Sequence, residues 1–390
     1  MKEEWAYKKL KDVAKYYNGL TYKPSDVKKD GILVLRSSNI QDYQLSLYDQ
    51  IRVSLNVDEK LKVHKGDLIM CSRNGSKSLI GKVALIPDEI KDLTFGTFMM
   101  IFKSEYNPFL YYFFLSDNFK KQIWKGEANM INQITRYMLD DVSLPVPPLP
   151  EQQRIVNYLD AQFAKIDQLK ANAEKQLQAA KDLFQKALKE LMTPKKGWEE
   201  KKLGEMCSIC GEYGLNESAT NYNGIRYIRI TDITDDGDLN DEKVSATNGN
   251  KKNQEKLEVG DILFARTGAT VGKTLVYRKD FGECVFAGYL IRYRTNPDII
   301  LPKYLFYFTH SSDYYEWVKI NQAAAAQPNI SAQKYNGLVI AFPKDTKIQQ
   351  QIADKLDALS AKVKALQSNY TETITLCNDI KQSLLRKIFE

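Results

Sequence analysis

The side chains in this sequence best suited to chemistry are basic and small polar ones gathered at the ends of short apolar runs. In the first half they are Arg36, Ser37, Ser38 and Asn39, then Ser72, Arg73, Asn74, Ser76 and Lys77, with Lys82 behind. In the second half they are Arg226, Arg229, Thr231 and Asp232, then Arg266, Thr267, Thr270 and Lys273. Such groups suit an anionic polymer with hydrogen-bonding edges. Arg reads guanine and Asn reads adenine through paired hydrogen bonds, while Lys and Ser more often hold phosphates. For any single residue the competing reading is solvated surface or a structural ion pair.

Other chemistries have less material. GATVGKT (residues 268–274) looks like a phosphate-binding loop, but only three residues separate its first Gly from the Gly-Lys pair where four are needed. Thr267 stands where wider spacing would want glycine, and the following LVY reads as a strand instead of the required helix. Gly75, Gly81, Gly268 and Gly272 are better read as turn residues. Cys207-x-x-Cys210 has metal-like spacing without a second pair, and His64 and His310 fall at equivalent positions in neither half. Nothing resembles Asn-Pro-Pro-Tyr, and no spacing singles out a carboxylate pair. No catalytic residue and no metal ligand is assigned; the chain reads as a binder.

The elements that must position these groups follow from size and repetition. At 390 residues, 43% hydrophobic and 27% charged, the chain has the mix of a folded soluble protein, and roughly two to three domains of about 150 residues fit its length. The formal charge of +7 is compatible with an anionic partner but does not identify one. Five cysteines are too sparse for a disulfide framework, the start has no secretory apolar core, and no run reaches the length of a membrane span. The cytoplasm is the expected compartment.

Slid against itself by about 193 residues, the sequence matches in five ordered segments. Trp5 and Lys8-Lys9-Leu10 fall on Trp198 and Lys201-Lys202-Leu203. GILVLRSSNI (31–40) lies over GIRYIRITDI (224–233), pairing Arg36 with Arg229 and Asn39 with Asp232. KGDLIMCSRNG, ending at Gly75, matches VGDILFARTG, ending at Gly268, with one residue inserted. Residues 98–101 pair with 290–293 as apolar strand-like runs, and 107–124 with 301–318 as amphipathic helices. Runs 32–35, 68–70, 82–86, 227–230, 262–264 and 274–277 read as further strands, with a turn-rich stretch over 234–253.

After each half comes a continuous helical pattern. Ile155, Leu159, Phe163, Ile166, Leu169, Ala173, Leu177, Ala180, Phe184, Ala187 and Leu191 advance in threes and fours. So do Ile352, Leu356, Leu359, Val363, Leu366, Tyr370, Ile374, Cys377, Ile380, Leu384 and Ile388. Two such seams predict an antiparallel coiled coil, each rod roughly 57 to 60 Å long. The expected class is α+β: two repeated mixed modules (1–150 and 193–346) separated by two long helices (151–192 and 347–390), with approximate two-fold symmetry. Two related modules at fixed separation suit double-stranded DNA, whose half-sites are related by a near two-fold.

With these residues in place, the sequence resembles the DNA specificity subunit of type I restriction-modification systems over essentially its whole length. The resemblance rests on the tryptophan-led starts (Trp198 to Gly204, with Lys11 replacing glycine in the first half), on GDILFARTGATVGK (260–273), on VPPLPEQQRIVNYLD (146–160), and on the long helix after each module. It implies that the modules are target-recognition domains, each reading half of a bipartite site. The helices would then be conserved regions that set the unread spacer and dock two methyltransferase subunits. It further implies that the complex methylates adenine in host defence, and that restriction subunits, when present, add translocation and cleavage. S-adenosylmethionine, ATP and Mg would belong to those partners, with no cofactor on this chain and no membrane contact.

On this reading Arg36, Ser38, Asn39, Arg73, Asn74, Lys77, Lys82, Arg226, Arg229, Thr231, Arg266, Thr267, Thr270 and Lys273 face DNA. Pro147, Pro148, Glu151, Gln152, Gln153, Ile155, Gln349 and Ile352 form the partner-docking segments. Two departures are visible: AFPKDTKIQQQ replaces the proline-rich VPPLPEQQ in the second half, and NMINQIT (129–135) keeps the character but not the spacing of NQAAAAQPNIS (321–331). Two rival readings stay open: a duplicated coiled-coil scaffold without DNA specificity, and a single-chain DNA nuclease or methyltransferase.

Overall fold

The computed structural model describes residues 5–88, 90–124, 132–247, 256–322 and 328–390. The chain divides into two compact units, Met1–Ala173 with Thr371–Glu390, and Glu174–Tyr370. Parts of the expected segments 129–135, 234–253 and 321–331 lie outside the described residues.

In the first unit, short continuous apolar runs build most of an antiparallel sheet ordered Lys15–Asn18, Met99–Lys103, Leu68–Cys71, Val83–Leu85. Beside it, Leu93–Phe95 pairs in parallel with Ile32–Leu35. Ala6–Lys9 pairs with Ser143–Val146, closing the module's first strand on its last. The second unit repeats this plan. Its sheet is ordered Cys207–Tyr213, Leu290–Thr295, Ile262–Ala265, Thr274–Val276, with a parallel pair Arg226–Ile228 and Cys284–Phe286, and a closing pair Trp198–Lys202 and Val339–Pro343.

Hydrogen bonds fix the register between the copies more finely than the sequence match does. Met99 pairs with Cys71, and Leu290 with Ala265. Met99 is therefore the counterpart of Leu290, and Phe98 that of Tyr289, one residue off the pairing expected from apolar runs. The amphipathic helices shift likewise: Ser116 accepts from the Phe119 N–H, and Ser311 from the Tyr314 N–H, each capping the helix that follows. Small gaps absorbed in loops produce these slips, which a side-chain pattern alone does not locate.

The long helices are Leu149–Met192 and Thr346–Phe389, 44 residues each, or about 66 Å at the ordinary rise. In the first unit Ile155 and Leu159, early in one helix, share a core with Leu385 and Phe389 at the end of the other. In the second unit Leu188 and Met192 share a core with Ile352 and Leu356. Both pairings are antiparallel. The expected seam holds at Ile166, which is buried, and at Cys377, whose Sγ lies 3.9 Å from the Ile166 carbonyl. It does not hold at Leu169, Leu366 and Ile380, which are exposed. Two helices cover only one narrow stripe of each other, so apolar positions beside that stripe stay in solvent.

Candidate nucleic-acid interface

The first strand of the parallel pair in each unit ends in a single 3-10 turn, Ser37–Asn39 or Ile230–Asp232, closed by the same device. The Arg36 N–H donates to Asn39 Oδ1 at 2.8 Å, and the Arg229 N–H to Asp232 Oδ2 at 2.8 Å. Asn39 is 1% exposed and donates to the carbonyls of Ser46 and Asp49, so its edge is committed inside the fold. The expectation that Asn39 faces DNA is thereby corrected. Arg36 pairs with Asp49, which also accepts from Ser38 Oγ at 2.9 Å. Arg229 forks onto Asp232 and reaches Glu242 at 3.1 Å; the hydrogen bond to Asp232 raises the guanidinium pKa further. Arg226 is buried and donates to the carbonyls of Asn240 and Glu242, so it too is structural. Thr231 is exposed.

The second group sits on the turn after the central strand. Cys71 N–H donates to the Lys82 carbonyl, and Ala265 N–H to that of Lys273. Lys82 and Lys273 are therefore counterparts, and Gly81 and Gly272 precede them with φ near +83° and +88°. Between these fixed points the first unit carries three more residues, so Lys77 has no positional match to Lys273. Arg73 is exposed over the Phe98 ring at 5.4 Å, and Lys77 lies 5.4 Å over Trp124. Asn74 donates to Ser37 Oγ at 3.1 Å, which brings the two sequence clusters of this unit together.

In the second unit Arg266 lies over the Tyr213 ring at 4.8 Å, and its Nε donates to Asn329 Oδ1 at 3.3 Å. Thr267 bridges Asn329 through the backbone, Thr270 Oγ1 donates to the Thr267 carbonyl, and Lys273 pairs with exposed Asp235 at 2.6 Å. Arg229, Thr231 and Arg266 line one groove of about 590 Å³ with Tyr213, Tyr227 and Tyr289. Those tyrosines, with Phe98 and Asn329, were not among the site residues expected from the sequence. A small residue in a turn before a strand, as in GTF and AGY, was the available signal.

The glycine turn does not fit a nucleotide cradle. Gly268–Thr270 is a single 3-10 turn and Thr274–Val276 is a strand, so no helix N-terminus faces it. Cys207 and Cys210 are free thiols, and burial pushes Cys207 up to about 12. Among the described residues, no group of three or more His, Cys, Asp or Glu is placed to hold a metal ion. Among them, too, no helix is long and apolar enough to cross a membrane.

The expected docking segments are partly interior. Gln152 and Gln349 are buried and donate to the Pro147 and Pro343 carbonyls at 2.7 and 2.8 Å. Gln349 also holds Ile299 and Leu301. These glutamines satisfy a proline carbonyl at the strand-to-helix corner, and Ile155 and Ile352 pack in their own cores. All four are corrected from docking to structural positions, and Pro147 is buried beside them. Pro148 and Gln153 are exposed, and Glu151 pairs with Arg154 at 2.7 Å.

The type I restriction modification DNA specificity domain matches this chain twice, over residues 2–179 and 195–376. The chain belongs to that family. It is 28% identical to the type I restriction enzyme EcoKI specificity subunit of Escherichia coli K12, and 26% to the StySPI specificity subunit of Salmonella potsdam. Both alignments cover 99% of this chain and 89% of the relative. Two solved structures share the fold. One, from work on complex assembly and conformational transition of the type I R-M system, has TM-score 0.76 at 19% identity, over 99% of this chain and 97% of that one. The HsdS subunit from Thermoanaerobacter tengcongensis has TM-score 0.54 at 20% identity, over 99% and 96%.

Proposed function

We propose that this chain is the DNA sequence-specificity subunit of a type I restriction-modification complex, reading a bipartite duplex target with one half-site per unit. The observation that carries this reading is the duplication of one specificity-domain topology, with a basic turn at the same place in each copy. The phosphate-holding and base-reading roles fall to Arg36, Ser38, Arg73, Asn74, Lys77 and Lys82 in one unit, and Arg229, Thr231, Arg266, Thr267, Thr270 and Lys273 in the other. Adenine methylation, with S-adenosylmethionine, and any ATP- and Mg-dependent cleavage belong to two methyltransferase and two restriction partners, in the cytoplasm. Exposed Pro148, Gln153 and half-buried Glu151 remain as docking candidates for the modification partner. The fixed helix length supports a ruler role, in which the paired helices set the unread spacer.

The test is co-purification of the tagged chain from its native host, with methylated adenines mapped in the presence and absence of the gene. A methyltransferase partner and loss of one split motif are expected. Recovery of the chain alone with methylation unchanged would favour the scaffold reading, and methylation by the purified chain alone the single-chain enzyme.

A further inference from the structure

A lone exposed aromatic on a protein surface needs no explanation, but two at the same turn of two diverged copies do. Phe98 is 48% exposed and Tyr289 is 61% exposed. Each is the third residue of a β-turn that links the parallel pair to the central antiparallel sheet. The Met99 N–H donates to the Gly96 carbonyl, and the Leu290 N–H to the Ala287 carbonyl, both at 2.8 Å.

Both turns are clamped from two sides. On one, Leu20 N–H donates to the Phe95 carbonyl at 2.9 Å and Leu215 N–H to that of Phe286 at 2.8 Å. The preceding glycines make that approach possible: a Cβ on Gly19 would lie 2.1 Å from the Gly96 oxygen, and one on Gly214 2.2 Å from the Phe286 oxygen. On the other, the Phe98 carbonyl accepts from Ser72 and Arg73, and the Tyr289 carbonyl from Arg266. An exposed ring on a backbone held this firmly is pre-ordered, and such a ring loses little freedom on contact.

A cation stands beside each ring, and the groove around Tyr289 is otherwise largely apolar. Arg73 sits over the Phe98 ring, and Tyr289 shares its groove with Arg266, Thr231, Glu217 and the ion-paired Arg229. An apolar face beside Arg73 in one unit and Arg266 in the other matches the methyl-bearing edge of a thymine next to its phosphate in a duplex groove.

We propose that Phe98 and Tyr289 are the apolar base-contacting residues of the two half-sites, each packing its ring against the 5-methyl group of a thymine in the groove while Arg73 and Arg266 hold the backbone. The inference rests on the DNA-specificity reading above. It assigns sequence discrimination to an uncharged contact in each unit, separate from the salt-dependent contacts of Arg73 and Arg266.

The experiment uses the chain co-purified with its modification partner and a duplex carrying the split motif mapped for the wild type. Tyr289→Ala is expected to weaken binding about 10-fold and to make the methylation map degenerate at one position in one half. Phe98→Ala should do the same in the other half. Tyr289→Phe should keep the motif. The slope of log affinity against log salt should stay at the wild-type value in all three, whereas Arg266→Ala lowers it by about one. Wild-type affinity and motif in both alanine variants would overturn the proposal, and so would weaker binding with the motif intact in both halves. A wild-type complex that prefers no split motif would instead remove the DNA-specificity reading itself. Because both rings are exposed, thermal melting of the variants should match the wild type.

Discussion

Asn39 shows how a residue type suited to base reading becomes a structural part once buried. Its amide oxygen and nitrogen are all engaged with main chain of the same loop. Asn39→Ala leaves a buried N–H and two carbonyls without partners, so the first unit should lose about 2 kcal/mol, measured by chemical denaturation of the intact chain. Asp232, in the same role, adds an ion pair with Arg229. His310 gives a pH prediction. It is half-buried, its Nδ1 lies 2.9 Å from the Phe306 carbonyl, and desolvation lowers its pKa below the usual 6.5, with Asp236 and Lys364 acting in opposite directions. Below pH 6.5 the unfolded chain binds a proton that the folded one resists, so this contribution is full above 6.5 and is lost as pH falls. Thermal melts between pH 7 and 5 should show a smaller acid loss in His310→Gln than in wild type.

At the scale of elements, the turn after the central strand is built differently in the two units. In the second, Tyr314 OH donates to the Gly272 carbonyl at 2.9 Å and Tyr335 OH to the Ala265 carbonyl at 3.1 Å. Their counterparts Phe119 and Leu139 have no hydroxyl to offer. Gly272 is also tighter: a Cβ there would lie 2.9 Å from Val318 Cγ1, whereas at Gly81 the nearest atom is 3.6 Å away. Both positions have positive φ, so alanine costs about 1–2 kcal/mol at each from backbone strain. Gly272→Ala should cost more than Gly81→Ala by the added clash with a stiff β-branched neighbour. Melting temperatures of the two variants check the order. The helix joints are matched more closely. Tyr112 OH donates to Asp160 in the first unit and Tyr307 OH to Asp357 in the second, tying each module helix to its long helix, and burial raises both phenols.

For the whole molecule, the ruler role makes a geometric prediction. Inserting one heptad in each long helix adds about 10 Å, equal to about three base pairs at 3.4 Å each. The methylated motif should keep both halves and gain about three base pairs of spacer, read by methylation mapping; an unmoved spacer would refute the ruler. Charge reversal belongs at this scale too, since phosphate contacts sum over both units. Lys82→Glu and Lys273→Glu are the matched pair, and together they should weaken binding and lower the salt slope by about two. Lys77→Glu probes a turn that only the first unit has lengthened. Its effect is expected in the first unit's half-site alone.

Duplication, the two long helices and the clustering of basic side chains at strand ends were legible in the sequence, because hydrophobic period and residue type are local properties that repeat visibly. Trp5 with Trp198 and Arg36 with Arg229 sufficed to align the copies. Tertiary structure decided which of those side chains face outward. Asn39, Arg226, Gln152 and Gln349 carry polar groups that a sequence pattern cannot assign to solvent or interior, since their hydrogen-bond partners are main-chain carbonyls of loops and corners brought close only by the fold. Phe98 and Tyr289 were hidden for the converse reason. Phe98 reads as part of the strand until register shows that the strand begins at Met99, and Tyr289, just ahead of its strand, gains meaning only once that register makes it the counterpart of Phe98.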